Sequence, residues 1–445
     1  MQIPLQFPDR VRFGVVDGGG RGAQVVNYLK RDPRVEAVCF PGRQGYGEAV
    51  TCCLDIPAGD VGKIAAEATS RKLDIVIAGQ EIFAANGGTD LLRNAGLLVA
   101  GPSKRAAELE TSKVWCCEFF ERFKIPAPQF EVADRVKDAM SVVYDKFVSG
   151  RVKRIVIKAD GLADGKGVIV ANSLLAANAA IKNIMLDGPI AKAFPNAGKR
   201  IVIQEFLDGR EASFTVFTDG ASVCDAVVAI DYKRVGDGDH GVNTGSMGGV
   251  TPDPYFTPEL REKVMTRIVN PTIEGMRCEG RPFQGVLYFG LMIVDGEPYV
   301  LEVNVRLGDV EAQVILPQLK TPFSELMWAV ATGNLGNLKA EWHENLRVVC
   351  VVLASREYPE ANIMKGFPIS GIDDAEKLGV QVLHAGTKKV NGVYVNDGGR
   401  VLNVVAATDS LAKSIKLAYQ GVEKISWEGV KFRRDIGQNL LPVLG

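Results

Sequence analysis

One segment constrains the fold more than any other: Ile155-Val156-Ile157-Lys158-Ala159-Asp160-Gly161-Leu162-Ala163-Asp164-Gly165-Lys166-Gly167-Val168-Ile169-Val170. An apolar strand-like run delivers Lys158, a turn rich in glycine follows, and a second apolar run leaves it. Glycine lets backbone come close to an anion and adopt positive φ. Lys158 and Lys166 beside the turn are placed to neutralise phosphate charge. The turn joins strand to strand, so it is not the strand-to-helix Walker loop, and the Walker spacing is missing. Gly161, Gly165 and Gly167 are thus candidate phosphate-covering glycines. An ordinary surface hairpin is the competing reading.

Three further segments carry chemistry. In Gln204-Glu205-Phe206-Leu207-Asp208-Gly209-Arg210-Glu211, a strand ends in one carboxylate and a second follows six residues on. That spacing suits an adenine edge at Glu205 and ribose hydroxyls at Glu211, although for this segment alone a solvated turn is the better account. In Tyr299–Glu311, Glu302, Asn304 and Arg306 alternate with apolar residues, so in a strand they share one face. Hard oxygen donors on one face suit Mg²⁺, which takes one or two protein ligands and completes its shell with phosphate oxygens. An exposed strand face is the alternative. Lys233–Gly249 is glycine-rich with basic residues at its start, and it is expected to be a mobile lid that excludes water from a reacting phosphate. No histidine shows a catalytic pattern.

The chain opens as a βαβ unit: Val11–Val16, a glycine loop, a helical run over Ala23–Lys30, and a strand at Val35–Phe40. The spacing predicts one helix over Ser103–Phe123 capped by Ser103. It predicts strands at Arg154–Ala159, Gly167–Ala171, Ile201–Phe206, Ser213–Thr218 and Ser222–Ile230, and a long helix over Pro258–Met276. Phe283–Val294 and Glu297–Asn304 form a hairpin about Asp295-Gly296. The chain is therefore expected to be α/β with an N-terminal Rossmann-like domain (1–103). A two-lobed middle domain follows (104–335, small lobe about 130–205), then a mixed α/β C-terminal domain (336–445). A net charge of −1 over 445 residues argues against a general nucleic-acid or membrane-surface binder. No apolar run reaches the ~18 residues that a membrane span needs. Eight cysteines without a Cys-x-x-Cys pair read as reduced thiols in a cytoplasmic compartment.

Together the segments VIKADGLADGKGV, QEFLDGREASF, YKRVGDGDHGVNTGSMGG, FQGVLYFGLMI, EVNVRLGDVEAQ, HAGT, NDGGRVLNVVA and FRRDIG resemble the ATP-grasp superfamily. More narrowly they are similar to the phosphoribosylamine–glycine ligase family, in the family's order and over nearly the whole chain. The resemblance implies a Rossmann-like domain, a two-lobed ATP-grasp and a C-terminal domain. It implies ATP held by Lys113, Lys158, Glu205, Leu207 and Glu211, with the turn Gly161, Gly165, Lys166 and Gly167 over the phosphates. It implies Mg²⁺ or Mn²⁺ on Glu302 and Asn304, and Arg306, Lys233 and Asp309 around the reacting groups. Gly20, Arg21, Glu81, Asp231, Asn243 and Gly245 fall to the substrates, glycine and phosphoribosylamine. A monomer is implied, with a dimer as the alternative.

Some positions depart from the family pattern. The first loop reads Gly19-Gly20-Arg21-Gly22-Ala23 where the family has G-G-R-E-H. The second reads Gly79-Gln80-Glu81-Ile82-Phe83-Ala84 for G-P-E-x-P-L. Tyr232 stands where the family has histidine, Ser246 replaces a glycine and Val310 a proline. The reaction implied is ATP-dependent formation of a glycyl-phosphate, then attack by the amine to give glycinamide ribonucleotide, ADP and phosphate. A related ligase acting on another amine or carboxylate, and a nucleotide-binding protein without turnover, are the alternatives.

Overall fold

The computed structural model describes residues 6–47, 50–163 and 166–444, so Gly165 lies outside the described residues. In the N-terminal unit the strands Val50–Cys52, Val35–Cys39, Val11–Val15, Ile75–Ile77 and Leu98–Ala100 lie side by side in that order, all parallel. Both faces are covered, which is why these strands are apolar runs without alternation. Chain order reverses about Val11–Val15. The loops leaving Val15 and Ile77 therefore part at one sheet edge, the place where open α/β sheets take ligands.

Two antiparallel sheets form the middle of the chain. The first orders Phe130–Ala133, Ile201–Glu205, Ile155–Ala159 and Val168–Ala171. The helices Val136–Val148 and Leu174–Met185 back it and share its apolar core. The second orders Val223–Asp225, Arg210–Thr218, Gly285–Val294 and Glu297–Asn304. Its hairpin turns at Asp295-Gly296, where φ is +50° and +78°. Two successive positive φ values match the right-handed twist of the flanking strands.

The third large sheet orders Ile230–Asp231, Gly248–Thr251, Arg347–Ser355, Arg400–Thr408 and Gln381–His384, with Val430–Lys431 on Arg347–Ser355. Its first two strands come from the middle of the chain and bracket the glycine-rich segment. Ser222–Ile230 is thus not one strand, because Val223–Asp225 stays in the second antiparallel sheet while Ile230–Asp231 joins this one.

The glycine-rich segment also differs from a bare loop. Arg234–Gly236 pairs with His240–Asn243 as a short hairpin, and Gly248–Thr251 is a sheet strand. Ser103–Phe123 is not one helix either. It breaks into Glu108–Thr111 and Lys113–Arg122 at Ser112, whose Oγ caps Trp115 N at 3.1 Å. Asp160 fixes the break by accepting from Ser112 Oγ at 2.8 Å and Val114 N at 2.9 Å. Lys113 then stands at a helix start instead of mid-helix. The long helix runs as Pro258–Val264, a π-turn at Met265–Val269, and Asn270–Cys278. Pro271, which lacks an N–H, sits where the ladder widens.

Candidate active site

The site is a pair of chambers between the two antiparallel sheets and the N-terminal sheet edge. The first, of about 250 Å³, has apolar walls from Val156, Val170, Leu207, Met292 and Leu301, with Glu205 and Glu211 among its polar groups. The second, of about 520 Å³, is strongly polar. Val168, Asp231, Lys233, Thr244 and Glu302 line both, so the chambers share a wall.

Lys158 stands at that junction. Its Nζ donates to Leu301 O at 2.8 Å. The carbonyl is available because the ladder skips a residue: Gly290 pairs with Glu302 and Leu291 with Val300, leaving Leu301 as a bulge. The same bulge resets the alternation, so that Val300, Val303 and Val305 are buried inward while Glu302 and Asn304 face the second chamber. Burial lowers the Lys158 pKa, offset in part by Cys117 and Glu302.

Lys233 is the central cation, with Nζ 3.4 Å from Glu211 and 3.7 Å from Glu302. Burial acts against its charge, yet Tyr288, Glu211, Glu302 and Asp231 hold its pKa well above the usual lysine range. Glu302 is half-buried. Lys233, Lys113, Lys158 and Arg306 outweigh that burial and keep it ionised. Lys113 donates from Nζ to Glu110 O at 3.0 Å. Glu302 and Asn304 fit a hard divalent ion through one carboxylate and one amide oxygen. Among the described residues no group of three or more His, Cys, Asp or Glu could hold a metal. With two protein oxygens, such an ion would draw the rest of its shell from phosphate oxygens or water.

Arg306 lies between two acids, Glu81 at 3.1 Å and Glu110 at 3.3 Å. Glu110 is buried, and desolvation pushes its pKa up despite Arg306, while its Oε2 accepts from Val305 N at 2.8 Å. Glu81 is held down because Arg306 and Arg21 outweigh its burial. Arg21 pairs with Asp17 at 2.5 Å and donates to Leu307 O at 2.9 Å. Asp309 accepts from Gln313 Nε2 at 2.5 Å and from Arg400 Nη2 at 3.1 Å. Arg400 Nη1 also donates to Asp309 O at 2.6 Å and to Gly245 O.

Of the residues singled out from sequence, Lys113, Gly161, Gly167, Lys233, Glu302 and Asn304 line the second chamber. So do Arg306, Asp309, Arg21, Glu81, Asp231 and Gly245. Lys158, Glu205, Leu207, Glu211 and Asn243 line the first. Lys166 is exposed and lines neither chamber. Gly20 begins the helix Gly20–Leu29 and packs away from the cleft. A Cβ there would stand 2.2 Å from Asn403 Nδ2. A Cβ at Gly22 would stand 2.8 Å from both Asp17 Cβ and Tyr46 Oη. Those neighbours leave no room for a side chain at Gly22.

Sequence reasoning passed over Asp17, Glu110, Tyr288, Glu311 and Arg400 as site residues, all of which line the second chamber. Glu311 and Arg400 sit inside the quoted motifs and were within reach. Asp17 and Glu110 have no local pattern, and only long-range packing brings them in.

Comparisons with known proteins place the chain in one family. Three family models match in order: phosphoribosylglycinamide synthetase N domain at residues 11–110, ATP-grasp (A) domain at 111–312 and C domain at 348–439. The chain is 41% identical over 437 residues to a phosphoribosylamine–glycine ligase of Neisseria meningitidis serogroup B, covering 96% of this chain and 99% of that one. It is 38% identical to one from Caldanaerobacter subterraneus subsp. tengcongensis, covering 95% and 98%. The crystal structure of the Thermotoga maritima phosphoribosylamine–glycine ligase superposes with a TM-score of 0.80 at 29% identity, covering 96% of this chain and all of that one. The biotin carboxylase domain of Hydrogenobacter thermophilus 2-oxoglutarate carboxylase, solved with MgADP, shares the fold at a TM-score of 0.72 and 14% identity, covering 96% and 92%.

Proposed function

The chain belongs to the phosphoribosylamine–glycine ligase family, and we propose how its two chambers divide the reaction of that family. It is an ATP-dependent carbon–nitrogen ligase of purine biosynthesis that uses a divalent metal. One observation carries the assignment of parts: the Glu302–Asn304–Arg306 face, Lys113 and Lys233 line one polar chamber that opens from an apolar, nucleotide-sized one.

Adenine lies in the first chamber against Leu207 with Glu205 at its edge, and Glu211 takes the ribose. The phosphates pass Lys158 into the second chamber, where Lys113 and the glycines at 161 and 167 receive them. Glu302 and Asn304 would hold Mg²⁺ or Mn²⁺, which when bound would neutralise charge on the phosphoryl group in transfer. A glycine carboxylate is a poor acyl donor until its oxygen becomes a phosphate leaving group. Lys233 and Arg306 stabilise the equatorial oxygens during that transfer, by position and charge and without a protein nucleophile. Arg21 and Glu81 face the amine from the N-terminal sheet edge, with Asp309 next to them. The Asn243–Gly245 limb covers the acyl-phosphate and excludes water. The reading is of a cytoplasmic monomer. Eight unpaired thiols are in keeping with a reducing compartment, and no helix among the described residues is long and apolar enough to cross a membrane.

The test supplies ATP, Mg²⁺ and glycine, with and without freshly generated phosphoribosylamine, and follows ADP together with product mass. Glycinamide ribonucleotide in step with ADP is the expected outcome. ADP release without that product sinks the amine assignment. It would favour a ligase for another amine, the reading to which the closed space at Gly22 and Gln80 in place of proline lend weight.

A further inference from the structure

Arg306 reaches into the second chamber from a wall in which an acid is set deeper than the cation. The Arg306 side chain is 18% exposed and that of Glu110 only 5%. Glu110 Oε1 lies 3.3 Å from Arg306 Nη2, and Glu110 Oε2 accepts from Val305 N at 2.8 Å. The ladder with Gly285–Val294 ends at Asn304, so Val305 N is a buried donor that the sheet does not satisfy. Glu110 satisfies it. The carboxylate therefore gives one oxygen to the backbone beside Arg306 and the other to the guanidinium. A carboxylate pinned at both oxygens cannot swing, and it holds Arg306 to the same place.

Glu110 reaches a second cation by another route. Lys113 Nζ donates to the main-chain carbonyl of Glu110 at 3.0 Å. Glu110 lies in the helix Glu108–Thr111, and Lys113 opens the helix that follows. One residue thus sets Lys113 through its carbonyl and Arg306 through its carboxylate, although the two cations lie far apart in the sequence. Glu81 meets Arg306 from the other side, but its side chain is 27% exposed and open to the chamber. An acid that open can exchange Arg306 for a substrate group. Glu110, held by Val305 N, cannot.

We propose that Glu110 is a positioning residue for phosphoryl transfer, whose carboxylate holds the Arg306 guanidinium where charge builds on the transferring group. The proposal rests on the ligase reading above, in which Arg306 meets the equatorial oxygens. A guanidinium on a flexible stem would otherwise settle on the nearest anion, Glu302 or a ground-state phosphate, and would have to move back as the reaction proceeds. Charge fixed in advance needs no such rearrangement. An acid that works this way contributes to the rate and little to nucleotide binding.

Glu110→Gln separates the carboxylate from the carbonyl. The Lys113 tie is to main chain and survives. Val305 N takes the amide oxygen, which turns the amide NH₂ toward Arg306, donor against donor. The variant and wild type are compared in steady-state kinetics with ATP, glycine and phosphoribosylamine. Both are also titrated calorimetrically with Mg²⁺ and a non-hydrolysable ATP analogue, and crystallised with that analogue. The expected result is kcat lower on the order of 30-fold, within the range that small misplacements cause, with analogue affinity unchanged and Arg306 displaced. Glu110→Asp keeps the charge on a shorter stem and should fall between the two. It carries the test where Glu110→Gln does not fold. Unchanged kcat overturns the proposal. So does a loss of kcat with Arg306 still in place, or one that takes analogue affinity with it. If wild type forms no glycinamide ribonucleotide, the ligase reading fails and the crystal structures alone decide. Arg306 displaced in the variant then keeps the positioning role, and Arg306 unmoved overturns it.

Discussion

Gly290 stands opposite Glu302 in the ladder, and a Cβ there would lie 2.8 Å from Glu302 Cγ. A single hydrogen in place of a methyl group therefore sets where the Glu302 carboxylate can rest. Gly290→Ala should displace Glu302 while leaving the strand paired. The expected outcome is at least a tenfold rise in the Mg²⁺ concentration for half-maximal turnover, with melting temperature nearly unchanged. Mg²⁺ titration of the rate checks it, and an unchanged half-point removes the argument. Glu302→Ala should go further and abolish metal-dependent turnover. Sequence alternation made the Glu302–Asn304 face legible, but not its opposite number, because a glycine in a strand carries no sign of what it makes room for. His384 is a residue-scale matter of stability. It is buried, its Nδ1 lies 2.9 Å from Thr387 Oγ1, and burial with Lys389 lowers its pKa from 6.5 to about 4. The neutral ring is what folding favours. The contribution is complete above pH 6.5 and is lost as pH falls toward 4, about 3 kcal/mol at 1.36 kcal/mol per unit. Urea unfolding at pH 8 and pH 4.5 should show a smaller acid loss in His384→Gln than in wild type.

Among the elements, the lid departs furthest from what its sequence suggests. Glycine content reads as mobility, yet the hairpin Arg234–Asn243 is tied down by partners nearly 200 residues away. Arg433 is 1% exposed and donates to Asp239 at 2.7 Å and to Asp435 at 2.6 and 2.8 Å. Arg434 N and Gly238 N close the same knot on Asp237 and Asp435, each at 2.8 Å. Tyr232 Oη donates to Asn439 Oδ1 at 2.6 Å and accepts from Gly437 N at 3.1 Å. Successive residues in extended chain face opposite ways, so anchoring Tyr232 on the C-terminal segment turns Asp231 and Lys233 toward the chambers. No local window of sequence contains this, because its donors and acceptors are far apart in the chain. Strands with a periodic signal and a turn of their own, such as Gly285–Val294 and Glu297–Asn304, were legible nearly to the residue. Arg433→Met should free the hairpin while the sheet persists. Limited proteolysis should then cut first within 234–243, and glycine-dependent turnover should fall about tenfold or more, given the 10²-fold losses that small misplacements cause. A hairpin that stays resistant in that variant would count against the clamp.

For the whole molecule, the distribution of cores decides what moves. One apolar cluster takes Val15 and Val25 from the N-terminal unit, Val286 and Val314 from the middle, and Val352 and Val405 from the C-terminal sheet. Those three parts share a core and cannot separate without exposing it. Polar links add to this at one segment: Arg306 to Glu81, Arg21 to Leu307 O, and Arg400 to Asp309 all converge on residues 306–309. The sheet Phe130–Ala133, Ile201–Glu205, Ile155–Ala159 and Val168–Ala171 is different. Its cluster, with Val143, Ile157, Ile181 and Ile203, draws only on its own strands and helices. Its ties to the rest include polar contacts, Lys158 to Leu301 O, Gln204 to Cys117 Sγ and Asp160 to the start of Lys113–Arg122, and one small apolar patch of Val202 and Phe130 on Val114 and Cys117. A unit with a private core and few cross-links opens at lower free energy than one that shares its core. Amides of Ile155–Ala159 and Ile201–Glu205 should therefore exchange with solvent before those of Arg347–Ser355 in the free protein. A nucleotide that bridged Lys158 on this lobe and Glu302 on the other, as proposed, would favour the closed form and stabilise it by mass action. Adding ATP analogue with Mg²⁺ should slow exchange in the lobe by tenfold or more and leave Arg347–Ser355 little changed. Equal exchange in both sheets without nucleotide, or equal protection with it, would mean that the lobe is not an independent unit.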